Sequence, residues 1–335
     1  MGVTMAPSRG LIGGVSQTVI VVAYIIRGVN PVVTSLLLVV AATAWTTSDA
    51  QTAKQSIAHR GASGYAPEHT AAAYTLAMDQ KVDFVEQDLG VTKDGQLICI
   101  HDDTLERTTN VADLYPDRST TIALGARRGA ETHWLVNDFT LAEVKRLDAG
   151  TWFKPEFAGA KLLTFQEAID LVRARPGFGL YPELKSPQLY KSRGIDQVKL
   201  FVDVIRANGL EKPESLRTTP VIIQSFDEDA VRRVAADLPT IPRILLIDRD
   251  GDVSDARLRA VAEYATGVGP HKSLIAARPA LVKTSHDLGM TVTSWTFRAD
   301  EKTSYPNVRD EMAHFLYELG IDALFTNNPD QFPRR

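Results

Sequence analysis

From Gln55 onward, short apolar runs alternate with longer stretches in which apolar residues return every three or four positions. The short runs are SIAHRG, DFVEQDLGV, QLICIHD, GFGLYPELK, PVIIQSF, PRILLID, ATGVGP, TVTSWTF and DALFTNNP. Rich in β-branched residues and bounded by Gly, Pro or Asp, they predict strands. Between many of them lie amphipathic helices with readable ends. Thr140 to Glu143 (TLAE) and Thr164 to Glu167 (TFQE) fit the capping box, and Arg175-Pro176-Gly177 stops the second helix. Strands alternating with helices build parallel βαβ units, because the helix carries the chain back to start the next strand in the same direction.

Nine candidate strands are one more than a closed eight-stranded barrel takes. Asp94-Gly95 removes the excess. Such a pair between apolar runs favours a hairpin, so QLICIHD is expected to be the antiparallel return of DFVEQDLGV. The expectation is therefore an α/β fold, a TIM-type (β/α)8 barrel spanning residues 51–335. The stretch from about Asp103 to Leu162 is too long for a simple crossover and reads as an insertion over one end of the barrel.

Upstream, the pattern changes. Residues 11–45 hold two apolar stretches, LIGGVSQTVIVVAYII and PVVTSLLLVVAATAW, split by RGVN, and only Arg9 and Arg27 are charged before Asp49. The second follows a positive residue, has the length of a signal-peptide core and leads into TTSDA, so residues 1–50 are expected to be an export signal cleaved after Ala50. Each run is shorter than the ~20 residues that span a bilayer. An uncleaved leader would instead associate the protein with the membrane. The expected location is periplasmic or secreted.

Composition adds limits. With 335 residues, 44% of them hydrophobic, the chain can bury a large core. A net charge of -4 leaves no global basic field, so nucleic acid is not an expected partner and an anionic substrate must meet a local cation. The single cysteine, Cys99, excludes an internal disulfide and a Cys-based zinc cluster, and its apolar strand makes it a small core residue.

The candidate chemistry stands at strand ends. Glu86 and Asp88 are two apart in DFVEQDL, so both carboxylates point to one face, as Glu183 and Lys185 do in PELK. Three carboxylates converging in a barrel mouth repel one another unless a cation lies between them, and an all-oxygen set favours a hard ion, Ca²⁺ or Mg²⁺, over zinc. His59 and His101 each end a strand. Two imidazoles across a substrate suit proton-in, proton-out chemistry near neutral pH. Arg60 and Lys185 add fixed positive charge of the kind that holds a phosphate. The other histidines, His69, His133, His271, His286 and His314, read as structural hydrogen-bonders, and Trp295 reads as rim packing or part of a substrate groove.

Chain order lifts these signals. HRG at 59–61, PEHT at 67–70, EQD at 86–88, TKDG at 92–95, HDDTLERTT at 101–109, PELK at 182–185, QSF at 224–226, GVGP at 267–270 and TNNPD at 326–330 together resemble the glycerophosphodiester phosphodiesterase family, most of all its exported bacterial branch. The resemblance implies a TIM-type barrel with a small subdomain inserted after the HD motif. It implies His59 and His101 as the acid and base, Glu86, Asp88 and Glu183 as ligands of one divalent cation, and Arg60 and Lys185 as phosphate contacts. The implied activity is hydrolysis of small glycerophosphodiesters, such as glycerophosphocholine and glycerophosphoethanolamine, to sn-glycerol 3-phosphate and an alcohol through a cyclic phosphate. Alternatives on the same barrel are a lysophospholipase D or phosphatidylinositol-specific lipase-like enzyme, for which Trp134, Trp152 and Phe153 offer apolar surface, and a binding module without turnover. Two departures from the family pattern are Asn327, where an Asp is common, and His69 in PEHT; neither is expected to touch the two histidines or three carboxylates.

Overall fold

The computed structural model describes residues 53–122 and 130–335. In chain order the strands are β1 (Gln55–Ala58), β2 (Phe84–Val91), β3 (Leu97–Cys99), β4 (Thr120–Ile122), β5 (Glu131–His133), β6 (Gly179–Leu184), β7 (Ile223–Ser225), β8 (Arg243–Ile247), β9 (Gly267–Pro270), β10 (Thr291–Phe297) and β11 (Ala323–Thr326). Eight of them form a closed parallel barrel in the order β1-β2-β6-β7-β8-β9-β10-β11, with β11 returning to β1. All nine predicted strands are present. The surplus one, β3, runs antiparallel to β2 with Leu89 opposite Cys99 and Val91 opposite Leu97, as the Asp94-Gly95 hairpin requires, and Gly95 takes a φ of +76° at the turn.

Alternation along each strand sorts the barrel interior into layers. Ile57, Phe84, Tyr181, Ile244, Ala323 and Phe325 pack together as an apolar plug. The Tyr181 ring meets Phe84 edge-on at 5.7 Å and Phe325 at 5.1 Å. Two residues further along the same strands, the same face carries His59, Glu86, Glu183 and Asn327. A side-chain period of two therefore places the polar layer directly above the plug, at the C-terminal mouth.

Outward faces of the strands are covered by helices. The helix Phe165–Arg173 starts at the predicted capping box, in which Thr164 Oγ1 accepts from the Glu167 N–H at 3.1 Å and a Glu167 carboxylate oxygen accepts from the Thr164 N–H at 2.7 Å. It buries Phe165, Ala168, Ile169 and Val172, one stripe of the helix surface. Complete burial of the Phe, Ile and Val side chains contributes roughly 1.5–3 kcal/mol each. Cys99 lies in the same core, fully buried, with burial pushing its thiol pKa up to about 12.

Between β3 and β6 the chain forms short helices, 3-10 turns and the antiparallel pair β4–β5. This segment has its own small core, in which Leu105, Val111, Val136, Phe139 and Val144 pack on Ile98 and Ile100 of the hairpin side of the barrel. The expected leader, residues 1–50, lies outside the described residues. No described helix is long and apolar enough to cross a membrane.

Candidate active site

The turn after β1 aims the first histidine. Arg60 and Gly61 both adopt positive φ, +59° and +85°. A Cβ on Gly61 would lie 2.8 Å from the Ala73 Cβ, so only glycine lets the loop pass this close to the following helix. The tight turn brings the Arg60 N–H onto Glu86 Oε2 at 2.8 Å and leaves His59 facing the barrel mouth. There a cavity of about 250 Å³ is lined by His59, Arg60, Glu86, Asp88, His101, Glu183, Lys185 and Trp295 together. All eight sequence candidates thus share one space.

Glu86, Asp88 and Glu183 are buried, and each offers an oxygen within 4.8 Å of the others. The cause is register, since Asp88 of β2 stands opposite Glu183 of β6. Burial raises the Glu86 pKa well above the usual carboxylate range, and the charges of Asp88 and Glu183 add to it. Burial likewise pushes Glu183 up to about 8, against the pull of Lys185. Asp88 goes the other way: its burial is outweighed by the hydrogen bond from His69 and the charge of Lys185, which hold it well below the ordinary value. Its Oδ1 is buried without a hydrogen-bond partner. Three crowded carboxylates and one orphaned oxygen fit a divalent cation with oxygen ligands.

The two histidines at this end of the cavity, His59 and His101, are held through Nδ1. His59 Nδ1 lies 2.7 Å from Asn327 Oδ1, and His101 Nδ1 lies 2.6 Å from Asp102 Oδ1. Each imidazole thereby presents Nε2 to the cavity. Their partners differ in charge, and this separates their basicities. Burial, with the Arg60 charge added, lowers the His59 pKa well below its ordinary value. Burial also lowers His101, but the hydrogen bond to the Asp102 carboxylate opposes it.

The two cations are partly engaged. Lys185 Nζ lies 3.3 Å from Glu183 Oε1. Arg60 Nη1 donates to Glu68 Oε1 at 3.1 Å, and its Nε stands 3.4 Å from Asp88 Oδ2. Glu68 also accepts from Arg107 at 2.7 and 3.0 Å, and Arg107 bonds Asp102. A continuous chain of charges therefore links Arg60 to the carboxylate behind His101.

Both family departures touch the site, contrary to expectation. Asn327 orients His59, and His69 Nε2 lies 2.9 Å from Asp88 Oδ2 while its Nδ1 meets the Tyr74 hydroxyl at 2.9 Å. The reason is that barrel closure and the loop after Gly61 fold distant residues back onto strand ends. Also unanticipated were Gln224, whose Nε2 donates to Glu86 Oε1 at 2.9 Å, and the Glu68–Arg107 pair. Gln224 had a local signal, its place on β7 in QSF, opposite Glu183; Glu68 and Arg107 had none. Trp295 lines the cavity, stacked edge-on against Phe226 at 5.6 Å, and its indole N–H donates to the Gly269 carbonyl at 2.7 Å.

With this geometry in place, comparison with known proteins is direct. The family described as "Glycerophosphoryl diester phosphodiesterase family" matches residues 59–331. The chain is 34% identical over 288 residues to a glycerophosphodiester phosphodiesterase of Bacillus subtilis, covering 83% of this chain and 84% of that protein. A glycerophosphodiester phosphodiesterase of Caldanaerobacter subterraneus is 32% identical over 275 residues, covering 82% of this chain and 94% of its own. Among solved structures, an Oleispira antarctica phosphodiesterase in complex with its product sn-glycerol-3-phosphate superposes with a TM-score of 0.64 at 28% identity, covering 83% of this chain and 95% of that one. A glycerophosphodiester phosphodiesterase of Agrobacterium tumefaciens gives a TM-score of 0.60 at 25% identity, covering 84% and 99%. A match that runs from His59 to beyond the last strand, and so takes in every residue lining the reactive end of the cavity, makes this chain a member of the glycerophosphoryl diester phosphodiesterase family.

Proposed function

We propose that the protein hydrolyses small glycerophosphodiesters to sn-glycerol 3-phosphate and an alcohol. The observation that carries this reading is the pair of Nδ1-anchored imidazoles, His59 and His101, lining one cavity with three buried carboxylates. Glu86, Asp88 and Glu183 would hold a divalent cation, Ca²⁺ ahead of Mg²⁺, which when bound supplies positive charge to the phosphate oxygens. Arg60 and Lys185 hold the phosphate from the side.

His59, paired with a neutral amide and kept uncharged by burial, is suited to take the proton of the glycerol hydroxyl beside the phosphodiester. That oxygen then bonds to phosphorus, and His101, whose imidazolium the Asp102 carboxylate stabilises, gives a proton to the departing alcohol. A cyclic phosphate results. Water opens it as the two histidines exchange roles, so both end in their starting states.

The small-substrate reading is favoured over a lipase-like one because Trp134, Trp152 and Phe153 do not line this cavity. Trp134 instead donates to the Tyr115 carbonyl at 2.8 Å, and Trp152 and Phe153 meet edge-to-face at 5.7 Å. The apolar leader supports an exported protein, periplasmic or secreted, tethered to the membrane if uncleaved; the N-terminal sequence of the mature chain distinguishes these.

The primary test is release of glycerol 3-phosphate from glycerophosphocholine after chelation and after return of Ca²⁺ or Mg²⁺, beside His59→Ala. Ion-dependent release lost in the variant is expected. A diester whose neighbouring hydroxyl is methylated should be inert, and its brisk turnover would rule out the cyclic route.

A further inference from the structure

The cavity extends beyond the reactive end to the opposite wall of the barrel, and the chemistry above leaves the charges there unused. In the closed strand order, β8, β9 and β10 lie across from β1, β2 and β6. Their ends carry Arg249, His271, Trp295 and Arg298, which line the same cavity as His59 and Glu86. The Arg249 backbone N–H is bonded to Asp248, while its guanidinium makes no ion pair among the described residues. Arg298 reaches only Asp300, at 3.9 Å, and that carboxylate is 80% exposed. Glu301, the one carboxylate lining this side, is held by Lys272 Nζ at 2.8 Å. The wall is therefore positive, with two guanidiniums whose donors lack a close acceptor. Burial and the Arg249 charge lower the His271 pKa, so its ring is neutral at pH 7.

We propose that this wall is the subsite for the alcohol half of the diester and that it selects alcohols carrying an anionic group, a terminal phosphate above all, over cationic ones. The inference rests on the phosphodiesterase function proposed above and names the substrate class within it. Each guanidinium matches phosphate oxygens in charge and fork geometry. Trp295, which lines the cavity, packs edge-to-face with His271 at 4.9 Å and has its N–H already used by Gly269, offers apolar contact to the carbon chain between the two phosphates. An aromatic wall alone would also suit a quaternary ammonium. Here that cation would stand beside two arginines, and Glu301, the one carboxylate lining this wall, is already bonded by Lys272, which Glu311 shares, so the arginines decide the preference.

Three diesters that differ only in the alcohol test this: glycerophosphocholine, glycerophosphoglycerol, and glycerophosphoglycerol phosphorylated on its terminal hydroxyl. With the full-length chain and its divalent ion at low salt, kcat/KM should rank phosphorylated above neutral above choline diester. Each step is expected to be roughly tenfold, about one screened charge contact, and should shrink as salt is added. In Arg249→Gln with Arg298→Gln the ratio of phosphorylated to choline diester should fall toward one, through KM rather than kcat. A ratio that the double substitution does not alter, or a choline diester turned over as efficiently as the phosphorylated one, overturns the subsite. Calorimetric binding of the same three diesters separates the two levels. Ranked binding without hydrolysis under either ion would sink the hydrolytic function and sustain the subsite, whereas hydrolysis with equal binding would do the reverse.

Discussion

Asn327 holds His59 across the seam where the barrel closes. The Asn327 Oδ1 accepts from His59 Nδ1 at 2.7 Å, and the two residues extend β11 and β1, whose last paired positions are Thr326 and Ala58. The partner of His59 is thus a neutral amide, while that of His101 is a carboxylate. Replacing Asn327 by Asp would stabilise the protonated imidazole and raise the His59 pKa from its depressed value. If His59 acts as the base, the acid limb of the kcat/KM profile should move to higher pH in Asn327→Asp. Asn327→Ala, which removes the anchor, should lower kcat by about tenfold to a hundredfold. An unmoved acid limb in the Asp variant would mean that His59 is not the group titrating there.

The three carboxylates should make stability depend on a divalent ion. An ion that binds only the folded state adds about 2.7 kcal/mol at a hundredfold excess over its dissociation constant. Thermal unfolding of the chelated protein should therefore shift upward on adding Ca²⁺, and less with Mg²⁺. Glu183→Gln should lose most of that shift, because one of the three ligands becomes neutral. Equal melting temperatures with and without ions would remove these residues as a metal site.

Glu68 should contribute to acid sensitivity. Burial alone would raise its pKa, but the Arg60 charge and the bonds and charge of Arg107 pull it from 4.5 down to about 2. A depressed pKa means that, between pH 4.5 and about 2, the unfolded chain holds a proton that the folded chain lacks. The stabilisation is complete above that window and disappears as pH falls through it. It amounts to about 3 kcal/mol at neutral pH. Glu68→Gln should be less stable at pH 7 and show a flatter stability profile between pH 5 and 2, measured by urea unfolding.

Two substitutions separate a local cap from a close approach. Thr164→Ala removes the cap that satisfies the Glu167 N–H and should cost about 1 kcal/mol, with activity retained. Gly61→Ala places a methyl 2.8 Å from Ala73 at a φ of +85°, so the turn must shift and carry His59 and Arg60 with it. Stability and kcat should fall together in that variant. A Gly61→Ala enzyme with full kcat would show that the turn does not position His59.

Much of this was legible in the sequence because it is local. Period-two alternation in FVEQDL put Glu86 and Asp88 on one face, and Asp94-Gly95 turned one strand back to leave a closed set of eight. The Thr-x-x-Glu boxes marked helix starts that the backbone uses. What stayed hidden is the company each side chain keeps. Asn327 lies 268 positions from His59, and Gln224 lies 138 positions from Glu86. His69 read only as a structural hydrogen-bonder, with nothing nearby to identify Asp88 as its partner.

Which residues share a strand face, where strands and helices end, and which side chains are of a type suited to protons, a cation or a phosphate could be read along the chain, since these depend on neighbours a few positions away. Tertiary structure alone decided that Asn327 is the partner of His59, that Glu68 and Arg107 tie Arg60 to Asp102, and that Arg249 and Arg298 face the carboxylates across one cavity. Those relations come from closing β11 onto β1. Closure sets distances between residues that the chain keeps far apart, and charge and hydrogen bonding depend on distance through space.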